Sequence, residues 1–253
     1  MMAGLQHLSY SSVSTYLLCG HAWYLRYVER VQVPTAPALV VGSAWHDAVE
    51  EHLRNGTDLG AAWAQAWRAQ LERNPEVAWE VGETAETTAT VGERMAAAKP
   101  VTNMLAEVRA NFDGVLERRV ELHVPGVPIP VVGYIDIVTK DGIPGDFKTA
   151  ARMWSDGKAE DSLQPLFYLA ALNQAGEHGH GWRFRHYVVT KAVKPTAKTF
   201  EVEHTPGQVF WLFEMIESVW RAIDAQVYPR NPSTWKCSPR YCEYYPLCRG
   251  RYG

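Results

Sequence analysis

Residues 132–139 read VGYIDIVT, and residues 143–150, beyond a short Asp-Gly turn, read IPGDFKTA. Both runs are rich in residues that favour β structure, so they predict two neighbouring strands joined by a tight connection. Side chains alternate between the two faces of a strand, which places Asp146 and Lys148 on the same face. Each strand therefore contributes one carboxylate, Asp136 or Asp146, and the second strand adds an ammonium group.

Two carboxylates and a lysine in one place are costly to bury without compensation. A divalent cation bridged by the carboxylates is the usual compensation, and a lysine that stabilises negative charge is its usual companion. A phosphodiester is the natural substrate of such a site. The alternative is an ordinary hairpin that carries a surface Asp-x-Lys pair, and the two strands alone do not decide between these interpretations.

The composition is that of a globular protein with a substantial core. The chain has 253 residues, of which 47% are hydrophobic, and includes ten Trp and twelve Tyr. A net charge of −3 excludes a protein covered by positive potential, so nucleic-acid binding would depend on local basic stretches such as 183–198 and 230–251. We find no signal-peptide pattern and no run of 18 apolar residues, so we expect a cytoplasmic protein that does not span a membrane.

The pattern predicts a single domain, 1–253, in three parts. Residues 1–117 are largely helical, 118–227 hold a sheet with helices, and 228–253 form a tail rich in proline and cysteine. In the first part a helix is expected to begin at Gly42-Ser43, with Ser43 as its N-cap and His46 in its first turn or so. In the second part Gln164 and Tyr168 stand four residues apart on a helix, one above the other.

The four cysteines are consistent with one site. Three of them, Cys237, Cys242 and Cys248, follow the spacing C-x4-C-x5-C in the tail, and the fourth is Cys19. Disulfides are disfavoured in a reducing cytoplasm. Four thiolates suit tetrahedral zinc or a [4Fe-4S] cluster, and the long spacings favour the cluster over zinc. Either site would join the two ends of the chain, so that metal binding contributes to folding.

Taken together, these residues resemble the RecB-like branch of the PD-(D/E)XK nucleases, and most closely its iron-sulfur members. Those members include CRISPR-associated RecB-like exonucleases, the AddB nuclease domain and phage exonucleases. The resemblance extends from Cys19 to Cys248 and rests on an ordered set: Gly42-x3-His46, Glu121, Gly133-x2-Asp136, Asp146-x-Lys148 and Gln164-x3-Tyr168, enclosed by the cysteines. One departure is the first cysteine interval in the tail, which is four residues here and two in the family's usual pattern.

The resemblance implies an α/β (α+β) fold of the restriction-endonuclease-like type, with a mixed central sheet flanked by helices and a cysteine-liganded cluster joining the terminal segments. It also implies a role for each residue of the set. The Mg²⁺ or Mn²⁺ ligands would be His46, Asp136, Asp146 and the Phe147 carbonyl; Lys148 and Glu121 would complete the catalytic group; Gln164 and Tyr168 would position DNA; and Cys19, Cys237, Cys242 and Cys248 would bind [4Fe-4S].

The implied function is a metal-dependent DNA exonuclease that acts on single-stranded ends in phage or CRISPR-associated processing, recombination or repair. Its partners would be DNA and proteins of CRISPR adaptation or recombination, in the cytoplasm of a bacterial cell or a phage-infected host. The alternative is a non-catalytic DNA-end-binding iron-sulfur subunit of a larger complex, against which the intact Asp146-x-Lys148 pair argues. A third interpretation is a structural protein held together by zinc.

Overall fold

The computed structural model describes residues 5–252. The first part of the chain is mostly helical, and the break at Cys19-Gly20 separates two helices. Its elements are β1 (Leu8–Ser9), α1 (Tyr10–Leu18), α2 (Gly20–Tyr27), α3 (Pro37–Asn55), α4 (Leu59–Arg73), α5 (Ala85–Ala97) and α6 (Lys99–Ala110).

Most of the strands follow α6. They are β2 (Phe112–Leu122), β3 (Val131–Thr139), β4 (Pro144–Ala150), β5 (Arg183–Thr190) and β6 (Ala197–Glu203). Helices α7 (Asp156–Glu160) and α8 (Gln164–Gln174) connect β4 to β5, and α9 (Gln208–Asp224) follows β6. The tail contains one short 3-10 turn, Gly250–Tyr252, among irregular segments.

The sheet is mixed. Its strand order is β1-β3-β4-β5-β6, and β2 also pairs with β3. The pair β3 and β4 is antiparallel, β4 and β5 are parallel, and β5 and β6 are antiparallel. A parallel neighbour requires a crossover, which α7 and α8 supply. The expected α/β fold with a mixed sheet and flanking helices is therefore confirmed.

The chain divides into two compact units. The larger unit consists of Thr35–Arg119 and Tyr134–Thr205. Its core lies between helices α3 to α6 and one face of the sheet, where Phe147 and Tyr187 stack with ring centroids 5.2 Å apart. Trp63 stacks on Trp67 in the same core, with centroids 5.4 Å apart. This packing fixes α3 and β4, the two elements that carry much of the candidate site.

The smaller unit contains the described residues up to Pro34, Val120–Gly133 and the chain from Pro206 on. Its amino-terminal helices contact the segment that follows α9. The Tyr16 hydroxyl donates to the Val227 carbonyl at 2.5 Å, and Trp23 stacks on Tyr228 with ring centroids 5.8 Å apart. Helices α1 and α2 and the segment that follows α9 therefore pack together within one unit.

Two predicted boundaries were wrong. Helix α3 begins at Pro37, so Ser43 lies inside the helix and is not its N-cap. Proline is favoured in the first turn of a helix, and Val40 and Val41 already pack in the core before Gly42 is reached. Strand β2 begins at Phe112, within the region expected to be helical.

No helix among residues 5–252 is long and apolar enough to cross a membrane.

Replacement of Gly92 with alanine is expected to destabilise the larger unit. Gly92 lies on α5 against the Trp63 indole, and an added Cβ would overlap that ring. Trp63 cannot move away readily, because it is 1% exposed and its Nε1 donates to the Ala89 carbonyl at 3.1 Å. We expect Gly92→Ala to lower the free energy of unfolding by about 2–3 kcal/mol in urea titrations.

Gly157→Ala is the control for this experiment. Gly157 lies on α7 with no atom within 4 Å of its added Cβ, so this change should cost little. A Gly92→Ala protein as stable as the wild type would show that the space between α5 and the Trp63 indole accommodates an added methyl group.

Candidate active site

The two carboxylates predicted from the strands lie opposite each other. Ile137 pairs with Gly145 across the antiparallel strands β3 and β4, and this register places Asp136 opposite Asp146 on one face. Both are buried, with exposures of 8% and 2%. The Phe147 backbone N–H donates to Asp136 Oδ2 at 2.7 Å, which fixes that carboxylate against the neighbouring strand.

The electrostatics of this pair leave an excess of negative charge. Lys148 Nζ lies 2.8 Å from Asp146 Oδ1 and 2.6 Å from Oδ2, so the lysine compensates one carboxylate. Asp136 forms no ion pair with a lysine or arginine among residues 5–252, and burial, followed by the charge of Asp146, raises its pKa well above the usual value. A buried carboxylate with a raised pKa is stabilised when it binds a proton or a cation.

Helix α3 brings His46 to the same carboxylate. Its Nδ1 lies 3.3 Å from Asp136 Oδ2, and it also forms a hydrogen bond with the Phe147 backbone. Burial lowers the pKa of His46, although the nearby charge of Asp146 opposes that shift. A neutral imidazole is the form that binds metal ions. The structure thus brings together four of the predicted site residues in this corner: His46, Asp136, Asp146 and Phe147.

The acidic residue that joins them is Glu117, which was not among the residues predicted from the sequence. Ligand atoms of His46, Glu117 and Asp136 all lie within 4.8 Å of one another. Glu117 is on β2 with a φ of 50°, a left-handed conformation that is rare outside glycine. Glu117 is exposed to solvent, but partial desolvation and the charges of Glu50, Asp47 and Asp146 raise its pKa. Backbone strain of this kind often accompanies functional sites.

Glu121, which the resemblance nominated, lies farther along β2, in the smaller unit. Its Oε2 lies 3.5 Å from His123 Nε2. It is not a member of the group formed by His46, Glu117 and Asp136. The role assigned to Glu121 stays a prediction, and the geometry offers Glu117 as the better candidate.

Gln164 and Tyr168 reach the site from α8. Gln164 Nε2 donates to Asp146 Oδ1 at 3.1 Å and to the Tyr168 hydroxyl at 3.0 Å. Tyr168 is buried, and burial together with the charge of Asp146 raises its pKa. In the structure, the hydrogen bonds of Gln164 orient the Asp146 carboxylate. Direct contact of either residue with DNA stays a prediction.

The residues of this corner fit a divalent cation of the Mg²⁺ or Mn²⁺ type. The donor set is two carboxylates and a neutral imidazole, and the excess charge is negative. Carboxylate oxygens are the preferred ligands of hard cations, whereas an imidazole suits Mn²⁺ better than Mg²⁺. His46, Glu117 and Asp136 would hold the cation, with Asp146 beside them.

Metal binding here is expected to weaken as the pH falls. Because the pKa of Asp136 is raised, a proton competes with the cation for its carboxylate at pH values where an ordinary aspartate is already ionised. The dissociation constant of Mn²⁺, measured by calorimetry from about pH 8 to about pH 5, should rise by up to about tenfold per pH unit below that pKa.

Two variants test which glutamate takes part. Glu117→Gln should weaken Mn²⁺ binding at least about tenfold, and Glu121→Gln should change it little. A dissociation constant that does not vary with pH, or the reverse ranking of the two variants, would contradict this ligand set.

The four cysteines surround one cavity of about 270 Å³ in the smaller unit. All four are free thiols, and the same cavity is lined by three cations, Arg230, Lys236 and Arg249. In the part of the chain that the structure describes, no three of the sulfur atoms lie within 4.8 Å of one another. Thiolates around one zinc ion lie about 3.8 Å apart, given Zn–S bonds of about 2.3 Å. The free thiols therefore form no preformed zinc site, and zinc and a cluster both stay predictions.

Comparisons with known proteins support the fold and identify the family. A solved structure from Eubacterium rectale, provisionally described as an exonuclease, aligns with a TM-score of 0.60 and 14% identity over 90% of this chain and 85% of its own. A second, SSO0001, covers 94% of both chains at 14% identity, but its TM-score of 0.39 is too low to bear on the fold. No curated protein matches the chain. A family model described as the PD-(D/E)XK nuclease superfamily matches residues 7–249, and because this match covers nearly the whole sequence, the chain belongs to that superfamily.

Proposed function

We propose that this nuclease is a metal-dependent DNA exonuclease of the RecB-like branch, acting on single-stranded ends. The observation that carries the proposal is the convergence of Asp136, Asp146 and Lys148 with His46 from α3. The provisional description of the Eubacterium rectale structure as an exonuclease supports it. A non-catalytic protein would have no need to retain a buried carboxylate of raised pKa beside a lysine, since such a group destabilises the fold.

The positions of the charged groups indicate how the phosphodiester bond would be hydrolysed. A divalent cation in the site would bind the scissile phosphate and lower the pKa of a coordinated water. Lys148, held by Asp146, stands where negative charge grows on the phosphate as water attacks. A bond forms between the water oxygen and phosphorus, the bond from phosphorus to the 3′ oxygen breaks, and that oxygen takes up a proton. The products therefore carry a 5′-phosphate and a 3′-hydroxyl.

The test uses labelled DNA. Linear single-stranded, linear double-stranded and circular single-stranded DNA are incubated with Mg²⁺ or Mn²⁺ or with a chelator. We expect metal-dependent release of nucleotides from linear single strands and no cleavage of circles. Cleavage of circles would indicate an endonuclease. Tight DNA binding without turnover under either metal would favour the alternative, a DNA-end-binding subunit of a larger complex.

We propose further that Cys19, Cys237, Cys242 and Cys248 bind a [4Fe-4S] cluster. Support comes from their shared cavity and from the cations in its wall, which would offset thiolate charge. A protein purified without oxygen should be brown and contain iron and sulfide. Cys242→Ser should lower that content and loosen the ends of the chain. A colourless protein with stoichiometric zinc would exclude the cluster.

The biological setting that fits these features is the cytoplasm of a bacterial cell or a phage-infected host. Proteins of recombination, repair or CRISPR adaptation are the corresponding partners. Genes adjacent to this one provide the direct test: recombination or adaptation genes are expected beside it.

A further inference from the structure

An open groove of about 580 Å³ in the larger unit begins at the candidate active site and extends away from it. One wall is a single face of α3, from His46 back to Ala38, and the other is the end of β4 with Lys191. Ala38 and His46 are eight positions apart, which corresponds to a rise of about 12 Å along a helix. The groove is therefore long enough to continue past one phosphate to the next.

Lys191 is the cation at the far part of this groove. It follows β5 directly, and its backbone N–H donates to the Ala150 carbonyl at 2.8 Å, which fixes its place beside β4. Lys148 pairs with Val188 in the parallel register, so Lys191 lies three residues farther along, about 10 Å from the level of Lys148. The two lysines thus mark two points along one groove.

The Lys191 ammonium is partly buried and lacks an ion-pair partner among residues 5–252. Burial lowers its pKa, and Glu83 offsets that shift only in part. The one carboxylate that lines the groove beyond His46, Asp47, is already engaged by Gln70 Nε2 at 2.7 Å and Arg73 at 3.4 Å. A half-buried cation that forms no ion pair is a binding site for an anion.

The remaining lining favours a phosphate. Ser43 and Thr149 contribute hydroxyl groups that can donate to phosphate oxygens. Between them Gly42 has no side chain, so the wall stays open at the level of Thr149 Oγ1. A nucleic-acid strand whose scissile phosphate lies beside Lys148 would carry its next phosphate along this groove.

We propose that Lys191, together with the Ser43 and Thr149 hydroxyls, binds the phosphate that neighbours the scissile phosphate on the same strand. This inference rests on the proposed nuclease function and deepens it, since it gives the direction in which the substrate strand leaves the catalytic residues. Lys191 contacts substrate without taking part in bond cleavage, so its loss should weaken substrate binding and leave the chemical step nearly unchanged.

The experiment combines a protein charge change with a substrate charge change. Short single-stranded oligonucleotides carry one neutral methylphosphonate, moved in turn to each position near the cleaved bond. For the wild type we expect one neighbouring position at which the neutral group raises KM roughly tenfold with little change in kcat. Lys191→Gln should raise KM by a similar factor on the unmodified strand. The KM of this variant should not rise further when the methylphosphonate stands at that position. Lys191→Arg should restore most of the binding.

Lys194→Gln is the matched control, because Lys194 is an exposed lysine three residues farther along the same connection. It should retain the wild-type sensitivity to the methylphosphonate. If Lys191→Gln behaves like Lys194→Gln, or if its KM effect and that of the methylphosphonate add independently at every position, the proposal is wrong.

A binding measurement separates this proposal from the proposed function. In the Asp146→Asn background without divalent metal, fluorescence anisotropy of the same oligonucleotides should show the loss caused by Lys191→Gln and its dependence on one phosphate. A wild-type protein that never cleaves DNA while this binding pattern holds would overturn the catalytic proposal alone. Normal cleavage without the binding pattern would overturn the groove proposal alone.

Discussion

Replacement of Asp146 with asparagine is expected to lower metal-dependent DNA cleavage by at least about a thousandfold. Asp146 is 2% exposed and accepts from Lys148 and Gln164, so two neighbouring side chains of the site are held by its carboxylate. Asparagine has the same shape, which preserves packing, but it neither attracts a cation nor holds the lysine by an ion pair. Single-turnover cleavage of an end-labelled strand measures the chemical step directly.

Asp113→Asn is the control for this variant, because Asp113 is an exposed carboxylate on β2 in the same unit. It should cleave at the wild-type rate. The circular dichroism spectrum of Asp146→Asn should match that of the wild type. If Asp146→Asn keeps more than about a tenth of the wild-type rate, the carboxylates of β3 and β4 are not the catalytic group. The catalytic role assigned to Lys148 would then also be wrong.

Much of this site could be predicted from local rules. The alternation of a strand puts Asp146 and Lys148 on one face, and helical spacing puts Gln164 beside Tyr168; both relations hold in the structure. A short connection between two antiparallel strands is enough to predict that Asp136 lies opposite Asp146. His46 reaches the site even though the start of its helix was placed too late, because the face of α3 that packs on the sheet is set by apolar spacing and not by the first residue.

Glu117 shows where local rules fail. Phe112 and Leu116 are four residues apart, which fits a helix as well as a strand, so the sequence placed Glu117 at a helix end. In the structure Gly114 and Glu117 both have positive φ, at 101° and 50°, and this irregular backbone in β2 breaks the simple alternation. The sequence signal that was available is the glycine at 114, since a glycine inside a strand pattern often marks such an irregularity.

The groove around Lys191 could not be found from the sequence for a different reason. Residues 183–198 are basic in sequence, but Arg185 in that stretch is paired with Asp141 at 2.6 Å and Glu201 at 2.8 Å. Lys198 is paired with Asp156 at 2.8 Å. Which cations remain available to a phosphate depends on tertiary contacts between segments far apart in the chain. Charge counted along the sequence therefore overstates the surface that can bind DNA.

Replacement of Asp136 with asparagine is expected to have opposite effects on activity and on stability. Cleavage should fall by at least about a thousandfold, because Asp136 joins His46 and Glu117 in the only metal-ligand group found among residues 5–252. Yet the metal-free protein should become more stable at neutral pH. Asparagine can still accept from the Phe147 N–H through its side-chain oxygen, and it removes the charge that burial and Asp146 disfavour.

The sign of the stability effect depends on pH. The pKa of Asp136 is raised in the folded protein, so the folded state binds its proton more tightly than the unfolded state does. The resulting loss of stability is absent below the unfolded pKa, develops as the pH rises, and is complete above the folded pKa. Asp136→Asn should therefore gain about 1 kcal/mol in free energy of unfolding at about pH 8, and much less at about pH 4, in urea titrations with a chelator.

Added Mn²⁺ should reverse the ranking of the two proteins. The cation stabilises the wild type because it binds only the folded state, whereas Asp136→Asn has lost a ligand and should gain little. If Asp136→Asn is less stable than the wild type at pH 8 without metal, then Asp136 contributes more to the fold through contacts than it costs by its charge. Increased stability together with lost cleavage would instead mean that the carboxylate is kept for catalysis at the expense of stability, as an active site requires.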